Sequence, residues 1–131
     1  MSETETVAPG IFSIEAHEYL QVIFDRSHMH QVMWNLCQNA LRHSRREIGS
    51  MRIAASMVRE GRIVKLDVID DGPGVAPRVR TELFEPFVTA SPGGTGLGLY
   101  IAREMCATNG ASLDYVETPA GAQFTLHCKA A

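Results

Sequence analysis

The stretch from Met51 to Ile69 constrains the fold more than any other part of the chain. Met51 to Val58 and Ile63 to Ile69 read as strands, and Glu60-Gly61 between them is a hairpin signal. A second close pair, Ala111 to Glu117 and Ala122 to Cys128, flanks a turn at Pro119–Gly121. From about His28 to Arg46 the apolar residues Met29, Val32, Met33, Leu36, Cys37 and Ala40 share one helical stripe, with Asp25 and Ser27 as candidate caps. From about Leu97 to Asn109 a helical pattern returns in Leu99, Ile101, Ala102, Met105 and Cys106, and Asn109-Gly110 is a stop signal. Ile11 to Glu15 and Leu20 to Phe24 read as short strands, Pro77 to Leu83 as a short helix, and Asp70 to Gly74 as a loop. Glu85 to Gly94 carries two prolines and two glycines and cannot be regular. The order β-β-α-β-β-α-loop-α-β-β sets paired strands between helices. That pattern points to a mixed or antiparallel sheet with helices on one face, and against a doubly wound parallel sheet.

With 131 residues, 45% of them hydrophobic, the chain holds material for one core: residues 1–10 read as a flexible leader and 11–131 as the domain. The formal net charge of −3 excludes a global basic field for nucleic acid or an anionic membrane. No apolar run approaches the roughly 18–20 residues that span a bilayer. The polar, acidic start lacks the features of a signal peptide. Cys37, Cys106 and Cys128 are odd in number, widely spaced and without a CxxC. They argue against a disulfide framework or zinc site and fit a reducing cytoplasm.

On the first helix Gln31, Asn35, Asn39 and Arg42 share one stripe, with His43 at its edge. A solvated face is the plain reading, but such faces favour Glu and Lys, and Asn is a poor helix former. Two Asn in a helix interior point to a directed hydrogen bond or a metal contact, and an amide oxygen suits Mg²⁺. Six of the 11 glycines lie between positions 72 and 98, in two further motifs. In Asp70-Asp71-Gly72-Pro73-Gly74 a carboxylate at a strand end can accept from a ligand amine, and the glycines let the backbone approach a flat ring. The alternative there is an ordinary polar turn. Gly93-Gly94-Thr95-Gly96-Leu97-Gly98-Leu99 feeds a helix N-terminus, which is an anion site by its N–H donors and dipole; a hinge is the alternative. It is neither a P-loop, since no GK[ST] follows, nor a dinucleotide fingerprint, since Leu99 stands where the third glycine belongs. His28 and His30 do not face each other on a helix, and Phe84 and Phe87 read as a small satellite core anchoring a loop.

Four segments in this order resemble the catalytic, ATP-binding domain of two-component sensor histidine kinases, within the wider family of type II DNA topoisomerases, Hsp90 and MutL. HQVMWNLCQNALRHS (30–44) is similar to the N box, VIDDGPGV (68–75) to the first glycine box, LFEPF (83–87) to the phenylalanine box, and GGTGLGLYIARE (93–104) to the second glycine box. The resemblance covers about residues 12–128. It implies an α+β, two-layer sandwich of the Bergerat type: a mixed, mostly antiparallel five-stranded sheet with three helices on one face, and an ATP lid at about 76–95. By the same resemblance Asp70 accepts from the adenine amino group, with Gly72 and Gly74 beneath the ring. Asn39 ligates Mg²⁺ with Asn35 beside it, Arg42 and His43 lie near the phosphates or the lid, and Gly94, Thr95, Gly96, Leu97 and Gly98 line the phosphate loop. Relatives with longer lids direct Lys or Arg at the γ-phosphate; here only Arg78 and Arg80 are available. The short lid looks closer to nitrogen- and pilus-regulation sensors, and the stretch YIAREMCATNGASLDY (100–115) adds to the pilus-type likeness.

The implied activity is histidine protein kinase, with ATP and Mg²⁺ as cofactors. His17-Glu18-Tyr19-Leu20 lacks the context of a phosphoacceptor, so the acceptor histidine is expected on a separate dimerisation domain of a larger sensor, with a response regulator downstream. The domain itself is expected to be cytoplasmic, outside the membrane and monomeric. A stand-alone anti-sigma-factor serine kinase and a degenerate nucleotide-sensing module are the rival readings. The GTGLGL form of the second glycine box weighs against the first, and intact Asp70 and Asn39 against the second.

Overall fold

The computed structural model describes residues 14–15, 20–44, 50–74, 77–80, 82–87, 97–118 and 121–131. Its elements are β1 (Ile14–Glu15), α1 (Arg26–His43), β2 (Met51–Val58), β3 (Ile63–Asp70), α2 (Pro77–Arg80), α3 (Gly98–Thr108), β4 (Ser112–Thr118) and β5 (Gly121–Lys129). The five strands form one sheet in the order β1-β2-β3-β5-β4. β1 pairs with β2 in parallel, and every other pairing is antiparallel.

The register explains the core. Val64, Leu66 and Val68 of β3 stand opposite Cys128, Leu126 and Phe124 of β5, and Leu113 of β4 stands opposite Leu126. Side chains alternate faces along a strand, so this set lies on one side of the sheet. Apart from Val64, it packs with Val32, Leu36 and Ala40 of α1 and with Ala102 and Cys106 of α3. Burial also pushes the thiols of Cys37 and Cys128 up to about 11 and that of Cys106 up to about 12. On the opposite face Asp67 is nevertheless buried, and its Oδ1 accepts from Thr125 Oγ1 at 2.7 Å and Gln123 Nε2 at 3.1 Å. The bonds offset the cost of removing that carboxylate from water.

Local chemistry sets the helix ends. Asp25 caps α1 by accepting from the backbone N–H of His28, as a cap reaches the third residue on. Ser27, the other candidate cap, instead donates its hydroxyl to Asp25. The His28 N–H bond and then the Ser27 hydroxyl hold the Asp25 carboxyl below its ordinary value. Asn109, which ends α3, also joins the two helices. Its Oδ1 accepts from the Asp25 N–H at 2.8 Å, and its Nδ2 donates to the Met105 carbonyl and lies 3.0 Å from His28 Nδ1.

Three expectations are corrected. Leu20 to Phe24 is not a strand: Val22 forms a single bridge to Ala130, because the chain is drawn into the α1 cap at Asp25. The helix expected over Pro77 to Leu83 ends at Arg80 and continues as turns closed by Glu82 N–H to Val79 and Glu85 N–H to Glu82. Asp70 is the last residue of β3 rather than the first of a loop, since it pairs with Met51. The leader at 1–10, the His17-Glu18 pair and the end of the first expected helix at Arg45-Arg46 lie outside the described residues.

Candidate functional site

Asp70 closes β3 on the helix-covered face and is 2% exposed. Its Oδ1 accepts from the Gly72 N–H at 2.8 Å, a short turn that satisfies one oxygen of a buried carboxylate. Asp71 faces the other way and is held by Ser50 twice: its N–H donates to the Ser50 carbonyl at 3.0 Å, and Ser50 Oγ donates to Asp71 Oδ2 at 2.8 Å. Gly74 has φ +79°, and a Cβ there would stand 3.3 Å from the Tyr115 hydroxyl. The motif is thus fitted between β2 and β4 as well as carried by β3.

The polar stripe of α1 runs toward α3. Asn35 Nδ2 donates to the Gly98 carbonyl at 3.0 Å, and Gln31 Nε2 donates to Asn35 Oδ1 at 2.7 Å. The directed hydrogen bond inferred from an Asn in a helix interior is therefore made to the start of α3. Asn39, one turn on, is half-buried, and among the described residues its amide holds no hydrogen-bond partner. Arg42 is exposed, and His43 is the last residue of the helix.

α3 starts at Gly98 after Leu97, and among the described residues no side chain caps its N-terminus. The first N–H groups of a helix have no partner within it, and with the positive end of the dipole they suit an anionic acceptor. Gly94, Thr95 and Gly96 lie outside the described residues.

Of the expected lid at 76–95, the described parts are 77–80 and 82–87. Arg80, read from the sequence as available for a γ-phosphate, is bound by both oxygens of Glu117 at 2.8 and 2.9 Å and lies 6.0 Å over the Tyr115 ring. Phe84 meets Phe124 edge-on at 6.1 Å and carries the Arg103 guanidinium 4.5 Å above its ring, so it does anchor its loop. Phe87 does not share that anchor: it is 76% exposed with φ +67°. The following Phe is turned outward by a left-handed backbone residue that a sequence pattern does not reveal.

Among the described residues no group of three or more His, Cys, Asp or Glu could hold a metal ion. The donor chemistry fits a hard cation that keeps its waters and takes most ligands from phosphate, with one amide oxygen from Asn39. Sequence reasoning missed Ser50, Tyr115 and Gly121. Ser50 and Tyr115 carry no local signal, whereas Gly121 was read only as part of a turn.

A family model described as Histidine kinase-, DNA gyrase B-, and HSP90-like ATPase matches residues 24–131. The chain is 45% identical over 98 residues to the Sensor protein kinase PilS of Pseudomonas aeruginosa, covering 73% of this chain and 18% of that protein. The catalytic domain of histidine kinase ThkA superposes with a TM-score of 0.78 at 29% identity, covering 90% of this chain and 78% of that one. Full-length ShkA in complex with AMPPNP superposes with a TM-score of 0.75 at 28% identity, covering 92% of this chain and 26% of that one. The chain therefore spans a small part of PilS and of ShkA.

Proposed function

The chain belongs to the Histidine kinase-, DNA gyrase B-, and HSP90-like ATPase family, and from that premise we propose that it is the ATP-binding catalytic domain of a sensor histidine kinase. It transfers the γ-phosphoryl group of ATP to a histidine on a separate dimerisation domain, from which a response regulator takes it. The observation that carries this reading is the bond from Asn35 to the Gly98 carbonyl, because it joins the Asn-bearing helix to the glycine-fed helix N-terminus.

In this reading Asp70 accepts from the adenine amino group, and Gly72 and Gly74 pass beneath the ring. Asn39 offers its amide oxygen to Mg²⁺, while Asn35 holds the first turn of α3 beside it. Gly94, Thr95, Gly96, Leu97 and Gly98 turn N–H groups to the phosphates, with Arg42 and His43 on the same side. Mg²⁺ when bound neutralises charge on the phosphate oxygens. Phosphoryl transfer is mainly positioning and charge neutralisation, so the chain's own task is to hold ATP with its γ-phosphate facing outward. Arg80 stays with Glu117 and acts on the base of the lid at 76–95 rather than on phosphate. No described helix is long and apolar enough to cross a membrane. The domain works as a monomer on the cytoplasmic side, in the subfamily that holds PilS.

The test has two parts. Calorimetry should show binding of ATP that weakens when Mg²⁺ is chelated. Incubation with ATP and a histidine-bearing dimerisation domain should yield acid-labile phosphate on that domain. Acid-stable phosphoserine on an acceptor, or no ATP binding, overturns the reading.

A further inference from the structure

We infer that Ser50 and Gly121 are positioning residues for adenine selectivity: from just before β2 and from the start of β5 they clamp the backbone on which Asp70 stands. The inference rests on the reading of Asp70 as the adenine acceptor.

The clamp is visible in how the ladder ends. On the β5 side the last register pair is Ile69 with Gln123, so Asp70 lies beyond that pairing. Gly121 takes its place there by direct contact. It has φ +151°, and a Cβ built on it would lie 1.9 Å from the Asp70 carbonyl oxygen, 2.9 Å from the Asp70 carbonyl carbon and 3.0 Å from the Asp71 Cα. All three are backbone atoms, which cannot swing aside as the end of a side chain can. Only a residue without a Cβ lets β5 come this close.

On the β2 side Ser50 is 4% exposed and holds Asp71 through its carbonyl and its hydroxyl. Asp70 is the last residue of β3, paired with Met51 and on the same face as Val68, and the bonds of Ser50 to the very next residue hold that strand end in place. The tandem of two acidic residues is thus resolved by its neighbours: Ser50 engages one carboxylate, and the other is left on the helix-covered side.

A hydrogen bond to an exocyclic amine is directional and weakens steeply as its angle falls. In the proposed site the phosphates are met elsewhere, by side chains of α1 and the N-terminus of α3. A shift of the Asp70 backbone therefore costs recognition of the base and leaves recognition of the triphosphate in place. Comparing ATP with ITP isolates the first term. ITP carries the same triphosphate and sugar, but a carbonyl stands where adenine has its amine, and that carbonyl cannot donate to a carboxylate.

Calorimetry with the full chain and Mg²⁺ should show wild type preferring ATP over ITP. Gly121→Ala should weaken ATP by about tenfold or more, the scale of losing a hydrogen bond to a charged group, while ITP affinity stays within about twofold. Ser50→Ala should lower the ATP-to-ITP preference by a few fold, and Ser50→Thr, which keeps the hydroxyl, should restore it. A change that merely loosened the fold would weaken both nucleotides equally and leave the ratio alone. Asp70→Asn is the reference. If it abolishes the preference while folded Gly121→Ala and Ser50→Ala keep it, the clamp is wrong and the site reading stands. If Asp70→Asn keeps the preference, the site reading fails and the clamp with it. If Gly121→Ala does not fold, Ser50→Ala decides: an unchanged ratio overturns the inference.

Discussion

The two ends of the proposed nucleotide site are built differently. At the base end, Asp70 closes a strand in the middle of the sheet and its neighbourhood is gripped by Ser50, Gly121 and Tyr115 from three other parts of the chain. At the phosphate end, among the described residues, Asn35 of α1 reaches the first turn of α3 by its bond to the Gly98 carbonyl. The difference follows the physics of what each end reads. One amine on a flat ring is told from a carbonyl only by a directional contact, which needs a fixed acceptor. Phosphate charge is read by dipoles and a cation, whose attraction changes gradually with distance.

Mutations can break this comparison in graded steps. The largest effect is expected for Asp70→Asn, which should cut ATP affinity by about a hundredfold, at the upper end of what a charged hydrogen bond contributes; calorimetry that finds unchanged affinity would sink the assignment. Next, Asn39→Ala should remove most of the gain in ATP affinity that Mg²⁺ gives, about tenfold. A magnesium titration at fixed ATP reads this, and an unaltered magnesium dependence would place the cation elsewhere. Asn35→Ala should weaken ATP and ITP alike, by about threefold to tenfold, because the bond it loses serves only the phosphate end. An effect on ATP alone would erase the distinction between the two ends.

Smaller effects concern the shared core and the α1 cap. The three thiols ionise near 9.0 when unfolded but are held protonated up to about 11 for Cys37 and Cys128 and about 12 for Cys106. A raised value means the stabilisation is complete below the unfolded value and is lost as pH rises through the folded one. Denaturation midpoints should therefore hold up to about pH 9.0 and fall as pH rises from there toward about 11, and the native thiols should resist maleimide until the chain is unfolded. Asp25 has the opposite sign: its lowered value means its cap stabilises the fold above 3.8 and is lost as acid protonates it. Asp25→Ala should flatten the acid limb of the stability profile, with little change in either nucleotide affinity.

Much of the fold was legible because its signals are local. Met51–Val58 was read to the residue, since its hairpin partner and turn lie beside it in sequence. The second long helix was read to within a residue at each end because Asn109-Gly110 stops it. Leu20 to Phe24 misled because a strand needs a ladder along its length, and here the pairing is limited to the Val22 bridge to Ala130 and the backbone bonds of Ile23 with Lys129 and of Ala131 with Gln21. Arg80 misled in another way. Nothing near it in sequence announces Glu117, which meets it across the fold and occupies its guanidinium.

The sequence by itself determined the order of elements from α1 onward, the apolar stripe of α1, the motifs and their order, and with them the family. These are set by periodicity, capping and turn chemistry within a few residues. Tertiary structure decided which residue of the acidic pair is buried, whom Asn35 binds, that Arg80 meets Glu117, and why position 121 must lack a side chain. Those answers depend on register and on which strands become neighbours. β5 lies between β3 and β4, so its first residue meets the end of β3, and no local pattern encodes that meeting.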